Sequence, residues 1–227
     1  MKTVLIEGYM ATAHFNIHGW AGKRALTYPL PPFSTVIGMI HNLCEWKVYH
    51  KMDISVCGWG IYNQALETRW RGGYHVKTET DEFKQRFPVR FADQSGFTGW
   101  VSGPVIVDSI NELQLRLHVR PENENELDTI HKCLEYPPVY PSLGEYKDLI
   151  RLDAIKIVEI KSPEMVTLNM NAYCDCENIG GTYFKIKKDY HIEKGKRIFN
   201  YRRVTVLSRG QEVLVPVDEY NNPVFLL

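Results

Sequence analysis

The sequence predicts an α+β protein: a ferredoxin-like or RRM-type N-terminal domain over residues 1–160 and a smaller antiparallel β domain over 161–227. Three observations predict it. Up to residue 160 the elements read strand, helix, strand, strand, helix, strand, which is the βαββαβ order of the ferredoxin-like fold. A long insertion, residues 70–103, lies between the second and third of these strands. After Pro163 the pattern is β-like throughout, with no helix.

The first helix is predicted within the stretch YPLPPFSTVIGMIHNLCEW, residues 28–46. Its apolar residues fall on one stripe at about 100° per residue, as expected of a helix that packs on a core. Pro32 suits the first turn, and Ser34 or Thr35 can cap nearby N–H groups. The helix is expected to fade near Lys51.

The surroundings of this helix offer two features that suit RNA. Gly38 is predicted on the polar face, where another backbone or a nucleic acid could approach closely; the alternative is that it relieves a crowded contact within the chain. The preceding loop, 19–32, carries Lys23, Arg24 and Tyr28 close to the helix N-terminus. Two cations and an aromatic ring can hold a phosphate and stack a base, although a solvated loop is the commoner explanation of such residues.

Strict alternation marks the strand at 104–120. Leucines and a valine alternate there with polar residues, so Arg116 and His118 are predicted on a face open to solvent or RNA. Near the C-terminus, two short strands around the turn 208–210 are expected to form a hairpin. The other predicted elements are strands over Thr3–Ile17, Ile54–Trp70, Leu149–Ile160 and Tyr183–Tyr190 and a helix over Glu124–Leu134.

The insertion interleaves cations with aromatic rings. Single-stranded nucleic acid needs charge for its phosphates and rings for its base faces. We interpret the insertion as a long hairpin or a partly disordered loop, because a connection of this length in a compact domain is usually functional or disordered. The alternative is a hairpin packed on its own domain. Its predicted RNA-binding residues are Arg69, Trp70, Arg71, Tyr74, His75, Lys77, Lys84, Arg86 and Arg90.

Composition excludes several other classes of protein. The 227 residues carry 27 basic and 27 acidic side chains, so any nucleic-acid site must be local. Five cysteines without paired CxxC motifs are typical of free thiols, not of disulfides or a zinc site. Neither a signal peptide nor a long apolar run is evident, so a cytoplasmic protein without membrane contact is expected. No metal and no cofactor are expected, because no zinc-type or nucleotide-binding motif is evident.

Four features together resemble CRISPR-associated protein family five, of the RAMP superfamily. They are the segment PLPPFSTVIGMI, the basic insertion, the segment YPSLGEYKDL after the second helix, and an all-β C-terminal third that ends in VFLL. The most specific pieces are Pro32-x-Ser34-Thr35-x-x-Gly38 and Ser142-Leu143-Gly144. Leu143 and Gly144 accordingly join the predicted RNA-binding residues. The branch most similar to this sequence is the type I-B-like one.

This resemblance implies a non-catalytic subunit of a type I surveillance (Cascade) complex, which acts in antiviral defence. Members of the family bind the 5′ handle of the guide RNA, and the insertion would be their "thumb" hairpin. They contact the family-seven backbone subunit and the family-eight large subunit, near the end where the target DNA is read at its PAM.

Two alternatives remain at this stage. In the type I-C branch the family member itself is a metal-independent endoribonuclease that uses tyrosine, lysine and histidine side chains. Here Tyr49, His50 and Lys51 are adjacent and His118 is predicted on an open strand face, but neither set matches that branch residue by residue. The second alternative is a stand-alone, RRM-like binder of single-stranded RNA.

Overall fold

The computed structural model describes residues 1–17, 24–86, 89–175, 182–194 and 196–227. It has mixed α and β structure, with a mostly antiparallel sheet and few helices. The chain forms two compact units, one of residues 1–16, 27–63 and 109–227 and one of residues 17–26 and 64–108. The predicted domain boundary at residue 160 remains a prediction, and one strand, Arg151–Thr167, crosses it without a break.

The elements alternate between long strands and short helices. In chain order they are β1 (Lys2–Ala13), β2 (Arg24–Ala25), α1 (Phe33–Leu43), β3 (Met52–Val76), α2 (Asp81–Arg86), β4 (Val89–Asp93), β5 (Gly96–Pro121), a 3₁₀ turn (Glu124–Glu126), α3 (Leu127–Glu135), β6 (Arg151–Thr167), β7 (Asn171–Asp175), β8 (Tyr183–Glu193), β9 (Lys196–Leu207) and β10 (Glu212–Asp218).

In the first unit the strands lie in the order β10-β6-β1-β5-β3-β7-β9-β8. β1 pairs antiparallel with both β5 and β6. Apolar residues of these strands pack with the apolar stripes of α1 and α3 in one hydrophobic cluster. Leu113, Leu115, Leu117 and Val119 of β5 all contribute to it, so the alternation in the sequence correctly predicted which side chains face the helices.

The other face of β5 was predicted to be open, and that prediction is wrong. Arg116 is only 9% exposed and donates to Glu7 (Nη2–Oε1 3.0 Å), while His118 is fully buried. The C-terminal third covers this face: Nε2 of His118 lies 3.1 Å from Oδ2 of Asp218. A layer of paired polar residues gives the same alternation as a solvated face.

The ends of α1 also differ from the prediction. Pro32 is the N-cap, and neither Ser34 nor Thr35 caps the helix with its side chain. The helix ends at Leu43, well before Lys51, because Glu45 adopts a left-handed conformation (φ 55°). The N–H of Trp46 then donates to the carbonyl of His41 (3.0 Å), which satisfies one of the last carbonyls of the helix.

The predicted C-terminal hairpin is wrong as well. The turn at 208–210 exists, with the N–H of Gln211 donating to the carbonyl of Ser208 (3.2 Å). The strands on its two sides do not pair, however: β9 pairs with β7 and β8, and β10 pairs with β6. The hairpin of this region is instead β8–β9.

The second unit contains the whole of the predicted insertion, residues 70–103. There β4 pairs antiparallel with the start of β5, and β2 pairs with β5 in parallel. Phe83 of α2 is buried within it. Neither hydrophobic cluster of the first unit includes a described residue of the second.

We therefore expect the first unit to fold without residues 64–108. At Gly60 of β3, an added Cβ would lie 2.9 Å from the carbonyl oxygen of Asn111, so β3 and β5 run side by side where the cut would fall. Joining Asn63 to Ser109 through a short Gly-Ser turn makes a hairpin of them. Thermal and urea unfolding should stay cooperative, with a midpoint close to that of the full chain. A protein that loses its near-ultraviolet circular dichroism would show that these residues belong to the core.

Candidate nucleic-acid interface

A groove of about 380 Å³ lies in the first unit between α1 and the β8–β9 hairpin. We call it the helix-face groove. It brings together residues that are about 150 positions apart in the sequence. Its lining residues are Ser34, Ile37, Gly38, His41, Trp46, Lys47, Val48, Tyr49, Lys188, Asp189, Tyr190 and Phe199.

Two of the sequence-predicted residues, Ser34 and Gly38, line this groove. Gly38 is exposed, and a Cβ added to it would have nothing within 4 Å. Hence it does not relieve a crowded contact with any described residue, which was the alternative explanation for this glycine. Thr35, the third predicted residue of this helix segment, is half-buried and does not line the groove.

Aromatic rings form the part of the groove that follows α1. The ring of His41 stacks on that of Tyr49, with centroids 5.6 Å apart and planes at 25°. Trp46, which also lines the groove, stacks on His50 at 3.9 Å. Nδ1 of His50 lies 2.9 Å from Oε1 of Glu126, which fixes this ring from the side of α3. The groove therefore has a preformed aromatic wall.

The charge states of these rings follow from their surroundings. Burial and the nearby Asp189 carboxylate together raise the pKa of Tyr49 to about 12. Burial also lowers the pKa of His41. Both rings are therefore neutral near pH 7, and aromatic rings provide faces on which bases stack.

The β8–β9 hairpin carries a basic surface that the sequence analysis missed. Between Tyr183 and Leu207 the chain has eight lysines and arginines against two acids. Lys185 and Lys187 lie over the rings of Tyr201 (4.5 Å) and Phe199 (4.2 Å). Alternating Lys185 and Lys187 were visible in the sequence, but the rings that they cover are on β9 and only the pairing of the strands reveals them.

Like charges face each other on this hairpin. Lys185 is the cross-strand partner of Arg203, and both residues are exposed. Two cations directly opposite each other destabilise a strand pair, so the arrangement favours a bound anion. Phe199 both lines the groove and lies beneath Lys187, which makes the two surfaces continuous. We call Lys185, Lys187, Tyr201 and Arg203 the basic hairpin face.

Tyr28, another predicted site residue, lies beside this hairpin. Its hydroxyl donates to the carbonyl of Lys185 (3.1 Å), and its ring meets Phe184 edge-on at 6.2 Å. Burial, reinforced by Tyr201, raises the pKa of Tyr28, so it remains a neutral donor. Tyr28 therefore packs against the hairpin and stabilises it, and its ring is not a free face on which a base could stack.

The predicted cations of the second unit are mostly engaged with partners inside that unit. Arg24 forms a bidentate pair with Asp108 (both contacts 3.2 Å). Arg90 pairs with Glu79 at 2.5 Å, and Lys84 lies 3.6 Å from Asp81. His75 contacts Thr98 and Ser95, while Arg86 and Lys77 are exposed. Arg24, Lys84 and Arg90 are therefore already paired with carboxylates and are less available to a phosphate than the sequence implied.

The remaining predicted residues divide into two groups. Leu143 is fully buried, and Gly144 adopts φ +121°, a conformation that favours glycine, as expected for a tight turn. Leu143 is thus a core side chain, and only the exposed turn at Gly144 can meet a ligand. Lys23 and the side chains of Arg69, Trp70, Arg71 and Tyr74 lie outside the described residues.

Two further observations concern classes of protein. Among the described residues, no three His, Cys, Asp or Glu side chains are grouped so that they could hold a metal ion. No helix in the described part of the chain is long and apolar enough to cross a membrane. The complete burial of His118 also leaves a ribonuclease that uses this residue without an accessible base.

Comparison with solved structures identifies the fold. A chain of a CRISPR RNA-guided surveillance complex aligns with a TM-score of 0.57 at 14% identity, over 93% of this chain and 91% of that one. The protein shares the fold of that chain. At the level of fold, this confirms the resemblance found in the sequence.

Two further solved structures are similar at a lower level. A crystal structure of a Cas protein has a TM-score of 0.46 and 12% identity, over 98% of both chains. A CRISPR protein from Archaeoglobus fulgidus has a TM-score of 0.46 and 11% identity, over 100% of this chain and 98% of that one. No family model and no curated protein matches the sequence.

Proposed function

We propose that this protein is a non-catalytic, RNA-binding subunit of a type I CRISPR surveillance complex, of family five, and that it holds the 5′ handle of the guide RNA. The observation that carries the proposal is the helix-face groove with its adjoining basic hairpin face. It combines neutral rings, cations and an open glycine on a fold shared with a chain of a CRISPR RNA-guided surveillance complex. Single-stranded RNA is recognised by such combinations of stacking and charge.

The strand order supports the finer assignment of the fold. In the first unit β6-β1-β5-β3, with α1 before β3 and α3 before β6, follows the ferredoxin-like pattern. In this proposal the insertion 70–103, which lies in the second unit, is the thumb. The other surfaces would contact the family-seven and family-eight subunits near the target PAM, which is consistent with a net charge of zero.

Binding to RNA should depend on salt through local contacts. We expect the affinity for labelled repeat RNA to fall with increasing KCl, with a log–log slope of about −0.7 for each phosphate contacted. Filter binding over a salt series measures it, and single-stranded DNA of the same sequence is the control for recognition of the 2′-hydroxyl. An affinity that does not change with salt would contradict the proposal.

Co-purification separates this proposal from the stand-alone RNA binder. Expressed with a repeat–spacer array and the other subunits from the same genome, the protein should purify with several partners and one class of guide RNA. A protein that purifies alone with mixed cellular RNA would favour the stand-alone reading. Incubating repeat RNA with the pure protein in EDTA tests the alternative that the protein is a metal-independent ribonuclease. That alternative predicts a single product, cut at the handle boundary.

A further inference from the structure

Gly38 is a residue that the fold of this chain does not require. It lies inside α1, where glycine costs about 1 kcal/mol relative to alanine. Its φ is not in the left-handed region, and a Cβ there would meet nothing within 4 Å. Neither its backbone conformation nor packing against the part of the chain that the structure describes explains the glycine. Departures from local preference without an internal reason concentrate at functional sites.

The groove above Gly38 has the size and lining for one nucleotide. Its volume is about 380 Å³. Pockets for small ligands have volumes of about 300–1,000 Å³, so this groove is near the lower end of that range. Its lining includes the ring of Tyr49, which follows α1 and is hydrogen-bonded to Asp189, and the rings of Tyr190 and Phe199 (centroids 5.8 Å apart) from the hairpin. A duplex would not enter such a space, whereas a single unstacked base would.

Charge determines how the nucleotide would lie. Asp189 lines the groove and accepts from Nδ2 of Asn200 (2.5 Å), so this wall repels a phosphate. Lys47 is exposed and, in the described part of the chain, has no ion-pair partner. Lys188 is held by Asp53 (2.9 Å). The phosphate is therefore favoured at the Lys47 end, where the open backbone at Gly38 leaves room.

We propose that the helix-face groove binds one unstacked RNA base between Tyr49 and the hairpin rings, with its sugar-phosphate against the open α1 backbone at Gly38. The inference rests on the proposed RNA-binding function and adds a defined subsite to it. A protein partner at Gly38 is the competing occupant. The neutral rings and the unpaired Lys47 favour the nucleotide.

The decisive variant is Gly38→Ala, because its effects on stability and on binding have opposite signs. Alanine should leave the melting temperature unchanged or raise it, since the added methyl group meets open space. The same methyl group should weaken binding of a labelled single-stranded RNA 12-mer of mixed sequence by about tenfold. Asn42→Ala is the matched control: it is exposed on the same helix, is outside the groove, and should change binding little.

A second measurement tests the stacked base directly. With 2-aminopurine placed at successive positions of a 12-mer of fixed repeat-derived sequence, one position should show fluorescence quenching on binding. Tyr49→Ser should abolish this quenching and weaken binding by about tenfold, as expected for a lost base–aromatic stack.

The outcomes separate the subsite from the wider function. Wild-type protein that binds no RNA overturns both. If the wild-type protein binds RNA and the Gly38→Ala and Tyr49→Ser variants bind it equally well, the subsite alone is overturned. A Gly38→Ala protein that binds RNA normally but no longer assembles with partner subunits assigns the groove to a protein and overturns the nucleotide.

Discussion

Replacing Asp218 with alanine should destabilise the protein by about 3–5 kcal/mol, the range for removing one partner of a buried, hydrogen-bonded pair. The His118–Asp218 contact is completely buried, and Asp218 also accepts from the backbone N–H groups of Tyr220 (2.9 Å) and Asn222 (2.8 Å). Alanine would leave His118 buried without its carboxylate and remove the acceptor that organises this turn. Urea unfolding at neutral pH measures the loss.

The matched control is Asp153→Ala. Asp153 pairs with Arg151 at 2.6 Å, but the two side chains are 42% and 66% exposed. Exposed pairs contribute about 0–1 kcal/mol, so this variant should unfold close to wild type. Equal, small effects of both substitutions would mean that the C-terminal third does not cover β5 as described.

The free energy of unfolding should depend on pH through the titration of Asp218. Burial alone would raise the pKa of Asp218, but hydrogen bonds from His118 and Asn222 outweigh it and lower the pKa to about 2. A lowered pKa in the folded state stabilises the protein at pH values above about 4, by about 2 kcal/mol here. This contribution should disappear as the pH falls from 4 towards 2. The Asp218→Asn protein should lack this part of the acid dependence.

The sequence predicted those features that depend on neighbours in the chain. The apolar stripe of α1 and the alternation in β5 each identify the buried side of one element, because the helical and strand periods are local properties. The glycine at position 38 was correctly assigned to the exposed helix face. Its relevance to a site could be proposed from that position alone.

The features that were missed or wrong depend on distant residues. His118 is paired with a carboxylate 100 positions away, and no local pattern distinguishes such a pair from a solvated face. The turn at 208–210 was correct as a turn, but the partners of β9 and β10 lie elsewhere in the sheet. The groove exists only because the fold brings Tyr49 next to Asp189.

Removing the charges of the basic hairpin face should weaken RNA binding by about a hundredfold at low salt. The variant is Lys185→Gln with Lys187→Gln and Arg203→Gln. Each exposed contact with a phosphate contributes about 1 kcal/mol, and 1.4 kcal/mol corresponds to a factor of ten. The salt slope should become shallower by about 2 in total, about 0.7 for each lost contact. The fold should be unaffected, because Lys185 and Arg203 face each other as like charges and their removal relieves repulsion.

A variant with the same change of net charge distinguishes local contacts from bulk electrostatics. Lys2, Lys132 and Lys161 are exposed and lie outside both the groove and the hairpin face. Replacing all three with glutamine removes three positive charges, as in the hairpin variant. Since the chain carries no net charge, we expect this control to bind RNA within a few-fold of wild type. Equal losses in the two triple variants would show that diffuse charge governs binding, and the basic hairpin face would then have no specific role.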